Sequence, residues 1–303
     1  MRLKSLIIVL ISVLSYTTAK GQGCSDAGIC TAGALHAEAG EQEYKNSVQF
    51  YAIYGLGDGL TSILTPQVDV NIGVTKNGFI QMRLPYVFTF GNLGSANGVG
   101  DPLVNYNHRI YKQDSFELRG TIGGRFASNN ASFSNDTGRA LPMPYQSSLG
   151  TNDLLLGISA TYKKWNFIVG YQQPLSQNNE NGFFPTSAEN DSDYFASNKL
   201  NRAADVVFRA ERKFKSNKFQ WSIGLLSIYH LANDKIEVPT TEQTIEVPNS
   251  QGLTLNCVLS SKYPIKDNLS FNATLGFPLM VRENRPDGLT RGLVLSPSIQ
   301  WFF

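Results

Sequence analysis

The connections in this chain alternate without exception between short and long. Five are tight and polar: Lys76-Asn77-Gly78, Lys112-Gln113-Asp114, Lys163-Lys164, Lys215-Ser216-Asn217 and Pro264-Ile265-Lys266-Asp267-Asn268. Between them lie longer stretches, 58–66, 91–100, 128–151, 175–199, 233–251 and 281–291. They separate twelve segments in which apolar and polar residues alternate: 47–57, 67–75, 79–90, 101–111, 115–127, 152–163, 165–174, 200–214, 218–232, 252–263, 269–280 and 292–303. Successive side chains of a strand point to opposite faces, so each segment reads as a strand with one oily face. A soluble sandwich gives no reason for every second connection to be short. A closed barrel of antiparallel neighbours does, because alternate connections then fall at opposite ends.

Most of these segments are longer than the ~5–6 residues typical of soluble strands, and long enough to cross a bilayer when tilted. The mean hydropathy of −0.18 is compatible with this, because only alternate residues of a barrel meet lipid. Phe116, Tyr162, Trp165, Phe214, Phe219, Tyr263, Trp301 and Phe303 all lie beside the short-turn end and on the apolar parity. That pattern predicts a ring of aromatics at one membrane interface. The expected fold is all-β, a transmembrane antiparallel up-and-down β-barrel of about twelve strands over 46–303, set in the lipid of the bacterial outer membrane. The last segment ends on Trp301-Phe302-Phe303. A terminal strand closing on Phe resembles the signal read by the barrel-assembly machinery, which makes that machinery an expected partner.

Residues 1–21 read as an export signal: Arg2 and Lys4, the short apolar run Leu6–Leu14, then Thr17, Thr18, Ala19 and Gly21. Residues 22–45 form a short N-terminal segment carrying Asp26, Glu38, Glu41 and Glu43. Two readings stand for it, a plug drawn into the barrel by arginines and a periplasmic tail. Cys24 and Cys30 are spaced to close a small disulfide loop in an oxidising compartment, and lipidation of Cys24 is the rival. Cys257 has no near partner and reads as an apolar filler.

On the inward parity the third to eighth segments supply Arg83, Arg109, Glu117, Arg119, Arg125, Asp153, Asp205, Arg209, Glu211 and Lys213. The signs nearly balance. The later segments supply inward Leu226, Ile228, Val258, Met280, Val294 and Phe302. A wall that is half charged and half apolar suits passage of hydrophobic or amphipathic small molecules. A lumen filled with paired side chains, in a non-conducting structural or adhesive barrel, is the alternative. The long loops 128–151 and 175–199 carry apolar tips, Met143-Pro144-Tyr145 and Phe183-Phe184-Pro185, that read as an external mouth or lid, or as shielding.

A net charge of +2 points away from nucleic acid. The chain holds His36, His108 and His230, with no Gly-x-Ser-x-Gly and no His-Glu-x-x-His, so a lipid hydrolase is the remote alternative and no enzyme, catalytic residue or cofactor is expected. Asn190-Asp191-Ser192-Asp193 lacks the glycine and distal glutamate of a calcium loop, and no metal is expected there.

Three short motifs lie in order across 80–175: Leu84-Pro85-Tyr86-Val87, Gly98-Val99-Gly100-Asp101 and Leu149-Gly150-Thr151-Asn152-Asp153. In order and spacing they resemble the phenol-degradation meta-pathway family of outer-membrane proteins, grouped with the long-chain fatty acid transporters. The resemblance implies a barrel that takes up hydrophobic small molecules, with such a molecule as ligand. This chain has fewer segments than those transporters and a shorter N-terminal part.

Overall fold

A computed structural model describes residues 46–289 and 291–303. The export signal, the 22–45 segment and the Cys24–Cys30 pair lie outside the described residues. The rest is built from strands β1 (Ser47–Leu56), β2 (Ser62–Thr75), β3 (Gly78–Gly91), β4 (Gly94–Val99), β5 (Leu103–Gln113), β6 (Phe116–Arg125), β7 (Thr151–Tyr162), β8 (Trp165–Gln177), β9 (Asp205–Ser216), β10 (Phe219–His230), β11 (Lys235–Val238), β12 (Gln243–Glu246), β13 (Gly252–Lys266), β14 (Leu269–Met280) and β15 (Val294–Phe302). Twelve of them form a closed antiparallel barrel in which each strand pairs with its sequence neighbour and β15 pairs with β1. Closure leaves no sheet edge, the condition for a β-structure to survive in hydrocarbon. Among the described residues no helix is long and apolar enough to cross a membrane.

Three strands fall outside the twelve. β4 is a short hairpin partner to the outer end of β3, so much of the stretch read as loop 91–100 is paired strand. β11 and β12 form a separate hairpin inside the loop 231–251. The strand bounds also shift. β2 begins at Ser62, well before the expected 67, and β9 begins at Asp205 rather than 200.

Four of the five short connections are tighter than expected, and Lys163-Lys164 is as expected. Each has only two residues between its strands, as at Asp114-Ser115, Lys163-Lys164 and Asn217-Lys218. Asp114, Lys163 and Asn217 sit at φ +48°, +54° and +52°, the left-handed conformation through which two-residue hairpins keep the twist of their strands. Alternation holds along the strands. Phe50, Leu84, Ile122, Ile158, Val169 and Ile299 are exposed on the outside, while their sequence neighbours face the interior. An outward apolar surface on an even-stranded antiparallel barrel is the form of bacterial outer-membrane proteins, and that membrane is where this chain resides. The long-loop end is then the outer mouth.

Candidate functional site: the barrel interior and its outer mouth

Inside the barrel the wall is of two kinds. Leu103, Leu155, Ile168, Val207, Leu226, Ile228 and Val258 form one buried apolar cluster across β5 to β13. Around it run charge pairs. Arg83 donates through Nε to Asp69 at 2.8 Å and through a second nitrogen to the other carboxylate oxygen. Arg125 donates to Asp153 and to Thr151 Oγ1. Arg119 pairs with Glu117, and Arg209 with Glu211. Of the ten charged residues on the inward parity, Arg83, Arg119, Arg125, Asp153, Asp205, Arg209 and Glu211 are buried, and Glu117, Arg109 and Lys213 are half-buried. The aspartate partner of Arg83, Asp69, lies on β2 outside the inward set named from sequence. Met280 is of inward parity but exposed at the rim, where β14 ends beyond a register shift against β13.

Near β13 and β14 the interior has polar groups that no protein group meets. The side-chain amides of Asn256 and Asn272 are buried and without hydrogen-bond partners at both nitrogen and oxygen. Left dry, each such group costs about 1–3 kcal/mol. Their presence argues for a solvated wall on this side.

The outer mouth is where the loops converge. Residues 141–150 are buried without a break, so the tip Met143-Pro144-Tyr145 lies inside the assembly of loops and is no external lip. Phe183 is likewise buried, and packs with Leu141, Tyr145 and Tyr194. A second apolar cluster joins Ala131, Met143, Leu149, Leu200, Ile236 and Leu289, residues from four different connections. Backbone polarity within this packed segment is met by side chains. Gln146 donates to the carbonyls of Leu141 (2.7 Å) and Phe133 (3.1 Å) and accepts from the Phe133 N–H. Asn181 donates to the carbonyls of Ala131 and Leu141 and accepts from Ser197 Oγ. The Tyr194 hydroxyl bonds to Asn92 and lies 3.1 Å from the hydroxyls of Thr61 and Tyr145. Burial raises its pKa above that of an ordinary tyrosine. Burial alone would raise the pKa of Asp191, but donors from Arg139 and Thr186 outweigh it and hold the carboxyl below its usual range.

Beside these loops sits a buried charge cluster. His230 at the end of β10 has Nδ1 2.7 Å from Asp205 and Nε2 2.7 Å from Asp234. Arg202 meets Asp205 and Asp287, and Arg282 meets Asp287 and, at 3.6 Å, Asp234. A carboxylate only accepts, so imidazole nitrogens that each face one both serve as donors. Three cations then balance three anions. Burial works against the charge of Arg202, yet the surrounding Asp205, Asp287, Asp153 and Asp234 outweigh it and tighten its hold on its proton. Asp287 is pressed the same way, burial opposing and Arg282 and Arg202 prevailing, so its carboxyl lies well below the usual range. Of this cluster only Asp205 stood among the inward candidates. Asp234, Arg282 and Asp287 come from connections with no alternation to place them, Arg202 fell on the outward parity of segment 200–214 but lies ahead of β9, and no sequence signal marks His230 beyond its parity.

The aromatics Tyr162, Trp165, Phe219, Trp301 and Phe303 are exposed at the short-turn end, and Phe214 is half-buried, its ring stacked on Trp221 at 4.1 Å. His108 faces outward, its Nδ1 3.1 Å from the Tyr106 hydroxyl, and its ladder neighbours are Gly78 and Gly120. No group of three or more potential metal ligands occurs among the described residues.

The three motifs that are far apart in sequence meet at the mouth. Gly100 N–H donates to the Pro85 carbonyl at 2.9 Å. Asp101 accepts from the Leu149 N–H at 3.0 Å.

No protein-family model and no curated protein matches the chain. Solved structures do. The COG4313 outer membrane channel from Pseudomonas putida F1 aligns over 88% of this chain and 100% of its own at TM-score 0.61 and 12% identity. The NanC porin aligns over 85% and 100% at TM-score 0.50 and 9% identity. A Pseudomonas aeruginosa FadL homologue covers 93% and 98% at TM-score 0.42 and 9% identity. The first two likenesses establish a common outer-membrane barrel fold.

Proposed function

We propose that this protein is an outer-membrane channel for the uptake of hydrophobic or amphipathic small molecules. The observation that carries the reading is the apolar cluster on the inner wall, Leu103 to Val258, set between rows of paired charges. An inner wall need not be apolar to be stable in water, whereas a solute with an oily part gains from such a strip. The partnerless amides of Asn256 and Asn272 support a wet path beside it. The meeting of the three motifs at the mouth supports kinship with the phenol-degradation meta-pathway proteins, and barrels of this fold include a protein described as a channel.

A second reading rests on the mouth. Ten consecutive buried residues, 141–150, close much of the outer end, as a non-conducting barrel would also require. One paired experiment separates the two. The full chain is reconstituted in liposomes and assayed for ion conductance and for entry of a labelled hydrophobic compound. Entry of the compound supports the channel. Flux of neither establishes the non-conducting barrel.

A further inference from the structure

Arg212 stands on the outer wall. It lies on β9 between its direct ladder partners, Trp165 of β8 and Ile223 of β10, and its side chain is exposed. Among the described residues no other charged side chain faces outward from within a barrel strand, Lys266 being the last residue of β13. A cation turned toward hydrocarbon is unfavourable unless its charge reaches an interface or a counter-ion. The guanidinium carbon lies 5.6 Å from the Trp165 ring centroid and 5.4 Å from that of Phe214, two residues nearer the short turn. The group thus leans toward the aromatic level, where headgroups lie. Two rings hold it, yet among the described residues its N–H donors meet no acceptor.

Beside it the outer wall is grooved. A depression of about 320 Å³ runs across β10, β13, β14 and β15, walled by Trp221, Leu259, Leu275 and Leu295 and floored by the small outward residues Ser261 and Ala273. The Ser261 hydroxyl is already given to the Ala273 carbonyl at 3.3 Å. Ser222, Ser260 and Thr274 also border the groove, from inward positions of the same strands. Trp221 belongs to both features. It walls the groove, and its ring stacks at 4.1 Å on the Phe214 that carries the guanidinium. We propose that Arg212 and this groove form a binding site for one phospholipid of the periplasmic leaflet. The phosphate sits on the Arg212 fork, a group whose planar donors match phosphate oxygens. One acyl chain lies in the groove. β9 and β13 are two strands apart, about 10 Å, a span that the glycerol and first methylenes of a lipid cover. The groove is open, so it seats a stretch of chain and does not enclose a molecule.

The probe is palmitoyl-oleoyl phosphatidylglycerol, titrated into the full chain in detergent and counted by native mass spectrometry. One lipid binds saturably ahead of any others. Palmitoyl-oleoyl glycerol, which has the chains without the phosphate, binds about tenfold more weakly or worse. Glycerol 3-phosphate, which has the phosphate without the chains, does not displace the lipid. Arg212→Gln lowers phosphatidylglycerol affinity by about tenfold. Ala273→Phe fills the floor of the groove and lowers it severalfold. Lys76→Gln, the same charge change in the turn between β2 and β3, leaves it unaltered. All three changes lie on the surface, and heat-modifiable electrophoretic migration reports that each variant is folded. Equal binding of the phosphate-free lipid, displacement by glycerol 3-phosphate, or full affinity in either the Arg212 or the Ala273 variant overturns the site. An equal loss in Lys76→Gln shows general attraction of anionic lipid to a basic rim and overturns it too.

Discussion

Arg285 donates through Nη2 to Asp58 at 3.0 Å, joining the loop between β14 and β15 to the turn between β1 and β2. Both side chains are almost wholly buried, and the guanidinium also lies over the Phe195 ring, 5.0 Å from its centroid. Removing one partner of a buried ion pair leaves an uncompensated charge and costs about 3–5 kcal/mol. Arg285→Met therefore destabilises the packed mouth by that order while leaving the membrane-embedded strands in place. The expected result is faster protease nicking within 281–293, with heat-modifiable migration of the barrel retained.

Gly288 makes a second joint. It sits at φ +64°, and a Cβ there would come within 2.5 Å of the Pro144 nitrogen. Gly288→Ala meets both a strained backbone, about 1–3 kcal/mol, and a clash with backbone that cannot turn aside. The buried segment 141–150 is displaced. A cysteine placed at Ser147, buried in the parent, becomes reactive toward a membrane-impermeant thiol reagent in the Gly288→Ala background and stays protected without it.

Acid should loosen the mouth in a defined window. Asp191 and Asp287 both have carboxyls held below the ordinary range. A depressed carboxylate contributes stability that is fully present above its unfolded value, about 3.9, and is lost as pH falls through the folded value. Near-ultraviolet circular dichroism from the Tyr145–Tyr194 pair, whose rings lie 5.8 Å apart, should then be constant from neutrality to about pH 4 and decay only below it. Loss of that signal above pH 5 would count against the assignment.

The outer surface makes its own prediction. Val169 is exposed mid-strand on β8, between Ile158 of β7 and Phe208 of β9. Val169→Arg puts a cation into hydrocarbon and costs about 2–4 kcal/mol. Lys163, in the turn after β7, lies at the interface with its ammonium 5.1 Å from the Tyr162 ring centroid, and Lys163→Arg is expected to be neutral. Guanidinium-induced unfolding in phospholipid vesicles measures both.

Most of the barrel was legible because its two signals are local. Alternation such as Ile80 to Phe88 marks a strand whatever surrounds it, and Lys163-Lys164 marks a turn. What was missed follows the same rule. β4, Gly94–Val99, is short and carries Gly94 and Gly98, so it shows no alternating face. β2 began early because Pro66, which reads as a break, is accommodated opposite Ala52 of β1. The mouth was hidden for another reason. Gln146 and Asn181 act on carbonyls 5 to 50 residues away, and the charge cluster draws on five separate segments. Nothing in the local order of residues announces such meetings.

The pair Arg285–Asp58 spans the seam where β15 meets β1, 227 residues apart in the chain. That seam is the contact with the longest reach, and loop-closure entropy makes it the last to form. A barrel still unsealed along its side therefore has loops not yet fastened across that seam. The outer loops are tied at the same moment the wall becomes continuous, so a stalled intermediate is loose twice over, along its flank and at its top.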